Sequence, residues 1–189
     1  MSDTPAFPPE EIGAFLRFCA GEWMSLRSEF ALGAIEAQAN GGEDGTALGD
    51  ETAQSDETVQ GDEWHSSERG ELLVTFLEPA GGHGPGGLRV GPKNSPQRDL
   101  HFRPDGRFSS GEAGTPAGAA PLEGDWELWP DGSLELRLEQ EGREVRERIW
   151  FTKPNLRLRS TVERQGDGSP GRASFSSEIR RVSRPATGS

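Results

Sequence analysis

The chain lacks several features that define common functional classes. Its 189 residues include one cysteine and three histidines, too few for an intrachain disulfide framework or a Cys/His zinc site. It has no apolar run of the ~20 residues needed to span a membrane, and its N-terminus has no apolar signal-peptide core. Acidic residues outnumber basic ones 32 to 20, which disfavours nucleic acid as a partner. These absences predict a cytoplasmic protein without a metal, a membrane or a nucleic-acid partner.

The composition predicts one domain with loose insertions. Hydrophobic residues make up only 31% of the chain, and 26 glycines and 14 prolines are present. We expect a single domain over 1–189. Residues 40–63 hold eight acidic residues and no Lys or Arg, which is typical of a solvated loop. A second loop is predicted over the Gly/Pro-rich residues 79–98, and residues 183–189 are predicted to form a tail.

The N-terminal segment predicts a short amphipathic helix. Apolar residues recur there with the spacing i, i+3, i+4, i+7, namely Ile12, Phe15, Leu16 and Cys19. This spacing places them on one face of a helix. Cys19 is therefore expected to be a buried, inert thiol.

The remainder of the chain predicts antiparallel strands. From Trp23 onward the apolar period changes to two, and turn residues such as Pro130-Asp131-Gly132 and Glu141-Gly142 separate several segments. The further strand candidates are roughly 57–65, 70–78, 99–103, 122–129, 133–140, 143–152, 155–163 and 173–182. Many short strands after one helix favour an all-β fold, and a closed barrel is the simplest way to remove its exposed edges.

Two late strands carry the residues that could bind a ligand. Glu147 shares a face with apolar residues, where an unpaired carboxylate is costly. Arg157 and Arg159 share a face of the following strand, with guanidinium groups ~7 Å apart, a spacing suited to a ligand with two carboxylates. Pairing across the intervening turn would place Glu147 opposite Arg159. The alternative is a cross-strand salt bridge on a solvent-exposed face.

Trp23 opens the first strand, where a tryptophan typically plugs one end of a small barrel. The three histidines have no ligand spacing, and the sequence shows no Ser/His/Asp set. The residues alone therefore indicate an acidic β-barrel with an anion-binding strand pair.

Four blocks resemble one known family. They are Gly21-Glu22-Trp23-Met24-Ser25-Leu26-Arg27, Glu147-Arg148-Ile149-Trp150-Phe151, Pro154-Asn155-Leu156-Arg157-Leu158-Arg159 and Ala173-Ser174-Phe175-Ser176-Ser177-Glu178-Ile179-Arg180. They are similar, in the same order, to blocks of the CpcS/CpeS (S/U-type) phycobiliprotein bilin lyases. The resemblance covers about half of the chain, at both ends.

The resemblance implies a lipocalin-like antiparallel β-barrel that binds an open-chain tetrapyrrole. This phycobilin, phycocyanobilin or phycoerythrobilin, would be a substrate and not a permanently bound cofactor. The lyase would attach it through a thioether to a cysteine of an α or β phycobiliprotein subunit of the cyanobacterial phycobilisome. A related lyase subunit or a second copy of the chain is a further implied partner. The alternative is a non-catalytic bilin carrier or a helper subunit of a heteromeric lyase.

The resemblance also implies roles for individual residues. Arg157 and Arg159 would bind the propionates of the bilin. Glu147 would be catalytic, lying near the pyrrole nitrogens and stabilising a protonated bilin. Thr161 and Glu178 would line the pocket, and Trp23 would remain a structural plug.

Overall fold

A computed structural model of the chain describes residues 7–32, 65–113, 121–167, 169 and 171–182. In chain order, its elements are α1 (Ile12–Cys19), β1 (Gly21–Ala31), β2 (His65–Leu77), a 3-10 turn (Ala80–Gly82), β3 (Gly86–Pro92), β4 (Arg98–Phe102), β5 (Arg107–Glu112), β6 (Leu122–Leu128), β7 (Leu134–Gln140), β8 (Arg143–Lys153), β9 (Leu156–Gln165) and β10 (Arg172–Arg180). The predicted acidic loop at 40–63 and the predicted tail at 183–189 lie outside the described residues.

The strands form a closed antiparallel barrel. Each strand pairs with its neighbours in the chain, and β1 also pairs with β10 to close the sheet. Among the ten described strands, closure leaves no edge exposed to pair with another chain. The prediction of an all-β, lipocalin-like antiparallel β-barrel with a short N-terminal helix is confirmed. The prediction of a single domain over 1–189 stays a prediction.

The prediction of a Gly/Pro-rich loop over 79–98 is wrong, because Gly86–Pro92 at its centre form strand β3. Leu88 is buried and Val90 packs against the core, so the period of two continues through the glycines. Gly86 has a φ of +92°, and a Cβ at this position would lie 2.7 Å from the Phe76 ring. Here glycine permits close packing inside a sheet. The sequence predicts a loop here because a segment rich in glycine and proline is also typical of one.

The predicted N-terminal helix is confirmed over Ile12–Cys19. It buries Phe15, Leu16 and Cys19, as the apolar spacing predicts. Strand β1 begins at Gly21, two residues after the helix ends. Within the described ranges, no helix is long and apolar enough to cross a membrane.

Helix α1 closes one end of the barrel, at the start of β1 and the end of β10. Trp23 is fully buried there, and its Nε1 donates a hydrogen bond to the Cys19 carbonyl at 3.0 Å. Arg180 of β10 donates to the Phe18 carbonyl at 2.5 Å and to the Ala20 carbonyl. These bonds satisfy carbonyls that have no partner within the helix. In the described part of the chain, the interior therefore opens toward the opposite end, which we call the mouth.

Candidate ligand-binding site

The barrel interior contains a cavity in two parts. The inner part, nearer α1, has a volume of ≈ 250 Å³, and the part nearer the mouth has a volume of ≈ 460 Å³. The parts are contiguous because they share the lining residues Arg98, Leu138, Val145, Glu147 and Arg159. Volumes of this order are typical of small-molecule sites in proteins.

The cavity has one apolar wall and one polar wall. Strands β3 to β7 contribute mainly aliphatic and aromatic side chains, including Leu88, Leu100, Phe102, Phe108 and Leu136. Strands β1, β9 and β10 contribute mainly hydroxyl and charged side chains, including Ser25, Arg159, Thr161, Ser176 and Glu178. Such a site can bind a ligand with an extended apolar body and charged substituents.

Arg157 lies at the innermost point of the polar wall and is held by the protein. Its side chain is 1% exposed, and Glu178 is 3% exposed. Its Nε donates to Glu178 Oε2 at 2.5 Å, and its guanidinium carbon lies 4.4 Å from the centroid of the Trp23 ring. Burying two charges is tolerated when they pair closely. The ion pair and the cation–π contact hold this guanidinium in place. Its Nη2 also lies 2.5 Å from Glu178 Oε2, but it makes no hydrogen bond with suitable geometry among the described residues.

Arg159, two residues nearer the mouth, lies farther from its carboxylate partners than Arg157 does. Its Nη2 lies 3.2 Å from Glu178 Oε1, and its Nη1 lies 3.5 Å from Glu147 Oε1. Its Nε is buried with no hydrogen-bond partner among the described residues. Burial disfavours the charged form of Arg159, but the Glu147 and Glu178 carboxylates outweigh this effect and raise its pKa. Arg159 is therefore a cation at the cavity surface, where its side chain is 19% exposed.

Glu147 also lines both parts of the cavity, but the predicted register is wrong by two residues. Glu147 is paired with Thr161, and Arg159 is paired with Ile149. The turn lies at Pro154-Asn155 and not at Lys153-Pro154, because Lys153 is paired with Leu156. A bulge between Phe151 and Lys153 then changes the register by one residue. Glu147 and Arg159 still meet, diagonally, because both face inward. The alternative of a solvent-exposed salt bridge is wrong for the same reason.

The structure thus brings together five of the six site residues predicted from the sequence. Glu147, Arg157, Arg159, Thr161 and Glu178 lie on the adjacent strands β8, β9 and β10. Trp23 contacts Arg157 at the closed end and is not among the residues that line the cavity.

Sequence reasoning missed the residues contributed by the middle strands. They form the apolar wall and include one cation, Arg98. Arg98 falls inside the segment that was predicted to be a loop. The sequence feature that indicates these residues is the alternation of Arg98, Leu100 and Phe102, which share the inward face of β4.

Known proteins are similar to this chain in sequence. The family model described as "CpeS-like protein" matches residues 112–181, which include Glu147, Arg157, Arg159, Thr161 and Glu178. The protein named "Chromophore lyase CpcS/CpeS 1" of Paulinella chromatophora is 38% identical over 182 residues, covering 96% of this chain and 94% of that protein. The chain belongs to the CpcS/CpeS chromophore lyase family.

Other members of the CpcS/CpeS family match a shorter stretch. "Chromophore lyase CpcS/CpeS 2" of Synechococcus sp. (strain JA-3-3Ab) is 52% identical over 64 residues, 33% of each chain. The solved structure of the S-type phycobiliprotein lyase from Guillardia theta covers 95% of this chain and 100% of its own, with a TM-score of 0.58 and 20% identity. At this identity the likeness supports the shared fold alone.

Proposed function

We propose that this CpcS/CpeS family member binds an open-chain tetrapyrrole, phycocyanobilin or phycoerythrobilin, and attaches it to a cysteine of an α or β phycobiliprotein subunit. The observation that carries the proposal is the charged cluster of Glu147, Arg159 and Glu178, which faces an apolar wall inside the barrel. The names of the relatives support it, because they are chromophore lyases and the solved neighbour is a phycobiliprotein lyase.

The chemistry of a bilin matches the two walls of the cavity. Its conjugated rings form an extended apolar body that can lie against the apolar wall. Its two propionates are anions that guanidinium groups bind well, and Arg159 offers a donor there. A bilin is bound as substrate in this scheme, and its partner is the acceptor subunit that supplies the thiol.

The reaction needs no nucleophile from this chain. The acceptor sulfur forms a bond to the outer carbon of the ring A ethylidene group. The carbon–carbon double bond is consumed, and the thiol proton ends on the ring carbon, so atoms and electrons balance without an oxidant. The single cysteine, Cys19, is buried under α1, and burial raises the pKa of its thiol. The protein contributes orientation and exclusion of water.

Glu147 is the residue that we infer assists this addition. Its side chain is 25% exposed and lies between Thr161 and Leu136 on the neighbouring strands. A carboxylate in this position can stabilise the protonated pyrrole nitrogens of the bilin, which makes ring A a better electrophile. Arg159 orients the carboxylate through the 3.5 Å contact.

Co-expression with a bilin-synthesis system and candidate acceptor subunits tests the proposal. Covalently attached bilin is detected on a denaturing gel by zinc-enhanced fluorescence. We expect a fluorescent acceptor band that requires this chain, and a Glu147→Gln variant that loses about tenfold or more of the transfer rate while retaining bilin binding. Glu139→Gln is the matched control, because Glu139 is exposed on the outer face of the adjacent strand β7.

Two outcomes would contradict the proposal. Bilin that co-purifies with this chain but never reaches an acceptor would favour the carrier or helper-subunit alternative. Equal transfer by wild type and Glu147→Gln would show that Glu147 has no catalytic role.

A further inference from the structure

The cavity contains one arginine whose charge the described part of the protein does not balance. Arg98 is the first residue of β4 and lines both parts of the cavity. It has the same inward face as Leu100 and Phe102, so it brings a charge to the mouth end of the otherwise apolar wall. Its exposed side chain can reach a ligand without breaking packed contacts.

The other arginines at the cavity all have carboxylate partners. Arg27 pairs with Glu29 at 2.7 Å, and Arg143 pairs with Glu163 at 3.1 Å. Arg157 pairs with Glu178, and Arg159 pairs with Glu147 and Glu178, all within 4.0 Å. Among the residues that the structure describes, Arg98 forms no such pair. Among the described residues that line the cavity, five arginines and three glutamates give an excess of positive charge. Glu112, which lies opposite Arg98 on β5, is not one of the lining residues.

Arg157 is poorly placed to bind a ligand carboxylate. Its Nε and Nη2 both lie 2.5 Å from the same oxygen, Glu178 Oε2. A ligand that displaced Glu178 would leave a buried carboxylate without this cation, which is costly. The other Glu178 oxygen lies 3.2 Å from Arg159 Nη2. Arg157 is thus suited to a positioning role, in which it holds Glu178 and Glu178 orients Arg159.

We propose that Arg98 and Arg159 bind the two carboxylates of the ligand, with Arg157 as the positioning residue behind them. This inference rests on the proposed function, because it takes an open-chain tetrapyrrole with two propionates as the ligand. The two arginines lie on opposite walls, β4 and β9, and both line the inner and outer parts of the cavity. A diacid bound between them spans the cavity, and its ring system lies over the shared residues Leu138 and Val145.

Titration of the purified full-length chain with phycocyanobilin and with its dimethyl ester tests the assignment. Esterification removes the two negative charges and keeps the ring system. We expect Arg98→Gln and Arg159→Gln each to weaken free-acid binding about tenfold, the size of one lost charge-assisted contact. Each variant should bind the dimethyl ester as wild type does. The binding is read from the absorbance change of the bilin, without an acceptor.

A matched control removes the same charge outside the cavity. Arg164 is exposed near the mouth end of β9 and alternates outward from Arg159 and Thr161. Arg164→Gln should bind both forms of the bilin like wild type. Circular dichroism and a melting curve confirm that Arg98→Gln is folded, and the unchanged ester affinity is a second check on its cavity.

The outcomes separate this inference from the proposed function. Wild type that binds the free acid, together with an Arg98→Gln variant that binds it equally well, would overturn the role of Arg98 and leave the lyase proposal standing. Weakening of acid and ester to the same degree would also overturn it, since the effect would then be on cavity shape. A wild-type chain that binds neither form would overturn both proposals.

Discussion

The closed end and the mouth half of the barrel both place arginines inside, but they use them differently. At the closed end, Arg157 is 1% exposed and bonded to Glu178, and Arg180 donates to carbonyls of α1. Two residues toward the mouth, Arg159 is 19% exposed and lies 3.2 Å and 3.5 Å from its two carboxylate partners. Alternation along one strand therefore yields a structural cation and a cation available to a ligand.

This difference shows how burial and pairing distinguish structural from ligand-binding charges. Trp23 lies close to two guanidinium groups, 4.4 Å from Arg157 and 4.3 Å from Arg180. These contacts hold the guanidinium groups of Arg157 and Arg180 against the buried Trp23 ring. Near the mouth, the cluster around Arg159 and Arg98 retains donors that a ligand can satisfy. The contrast predicts that substitutions at the closed end lower stability, whereas substitutions near the mouth alter binding.

The largest expected effect comes from breaking the buried ion pair. Arg157→Met should lower the free energy of unfolding by about 3–5 kcal/mol, because Glu178 loses its closest cation while remaining buried. The check is urea unfolding followed by tryptophan fluorescence. Arg143→Met is the comparison near the mouth, where a half-exposed pair with Glu163 is worth less than about 1 kcal/mol.

The double variant Arg157→Met/Glu178→Leu sharpens this test. It removes both buried charges together and should be more stable than Arg157→Met alone. Equal stability of the single and double variants would mean that the loss arises from packing and not from an orphaned charge.

A smaller loss is expected at the tryptophan of the closed end. Trp23→Phe removes the hydrogen bond to the Cys19 carbonyl and leaves that carbonyl buried, a cost of about 1–3 kcal/mol. The melting temperature of the variant measures it. Trp129→Phe is the control, since Trp129 is 36% exposed, and a surface change of this kind stays within about 0.5 kcal/mol. Similar losses in both variants would contradict the special role of the closed end.

The smallest effect is a gain at the mouth. Glu141 and Gly142 form the two-residue turn between β7 and β8, with φ of +52° and +76°. Asn is favoured over Glu in such a turn, so Glu141→Asn should raise the free energy of unfolding by roughly 0.5–1 kcal/mol. Chemical denaturation measures the gain. Gly142→Ala should do the opposite, although nothing lies within 4 Å of the added Cβ, because the backbone alone disfavours it.

Much of the architecture could be predicted from periodicity and turn chemistry. The spacing of Phe15, Leu16 and Cys19 defines the buried face of α1, and the late strands lie within a few residues of their predicted ranges. Strand β3 could not be predicted in this way, since its glycines resemble those of a loop. What identifies it as a strand is the close approach of neighbouring strands, as at Gly86, and only the folded sheet brings those strands together.

The candidate site was predictable in part. Glu147, Arg157 and Arg159 stand out in the sequence as charges in strands with regular alternation, and the family blocks include them. The different burial of Arg157 and Arg159 is not visible in the sequence, because the two residues are equivalent in spacing and chemistry. Arg98 stands far from them in the chain, and nothing local relates it to the late strands. Closure of the barrel places it at the same cavity.

The sequence by itself determined the all-β barrel class, the N-terminal helix, the family and the inward-facing charges of β8 to β10, because these follow from local periodicity and ordered blocks. Tertiary structure decided the register between Glu147 and Thr161, the burial of Arg157 against Trp23 and Glu178, and the presence of Arg98 at the cavity. The reason is physical. Alternation specifies which face of a strand a side chain occupies, whereas burial and charge pairing depend on the strands that the closed sheet brings near it.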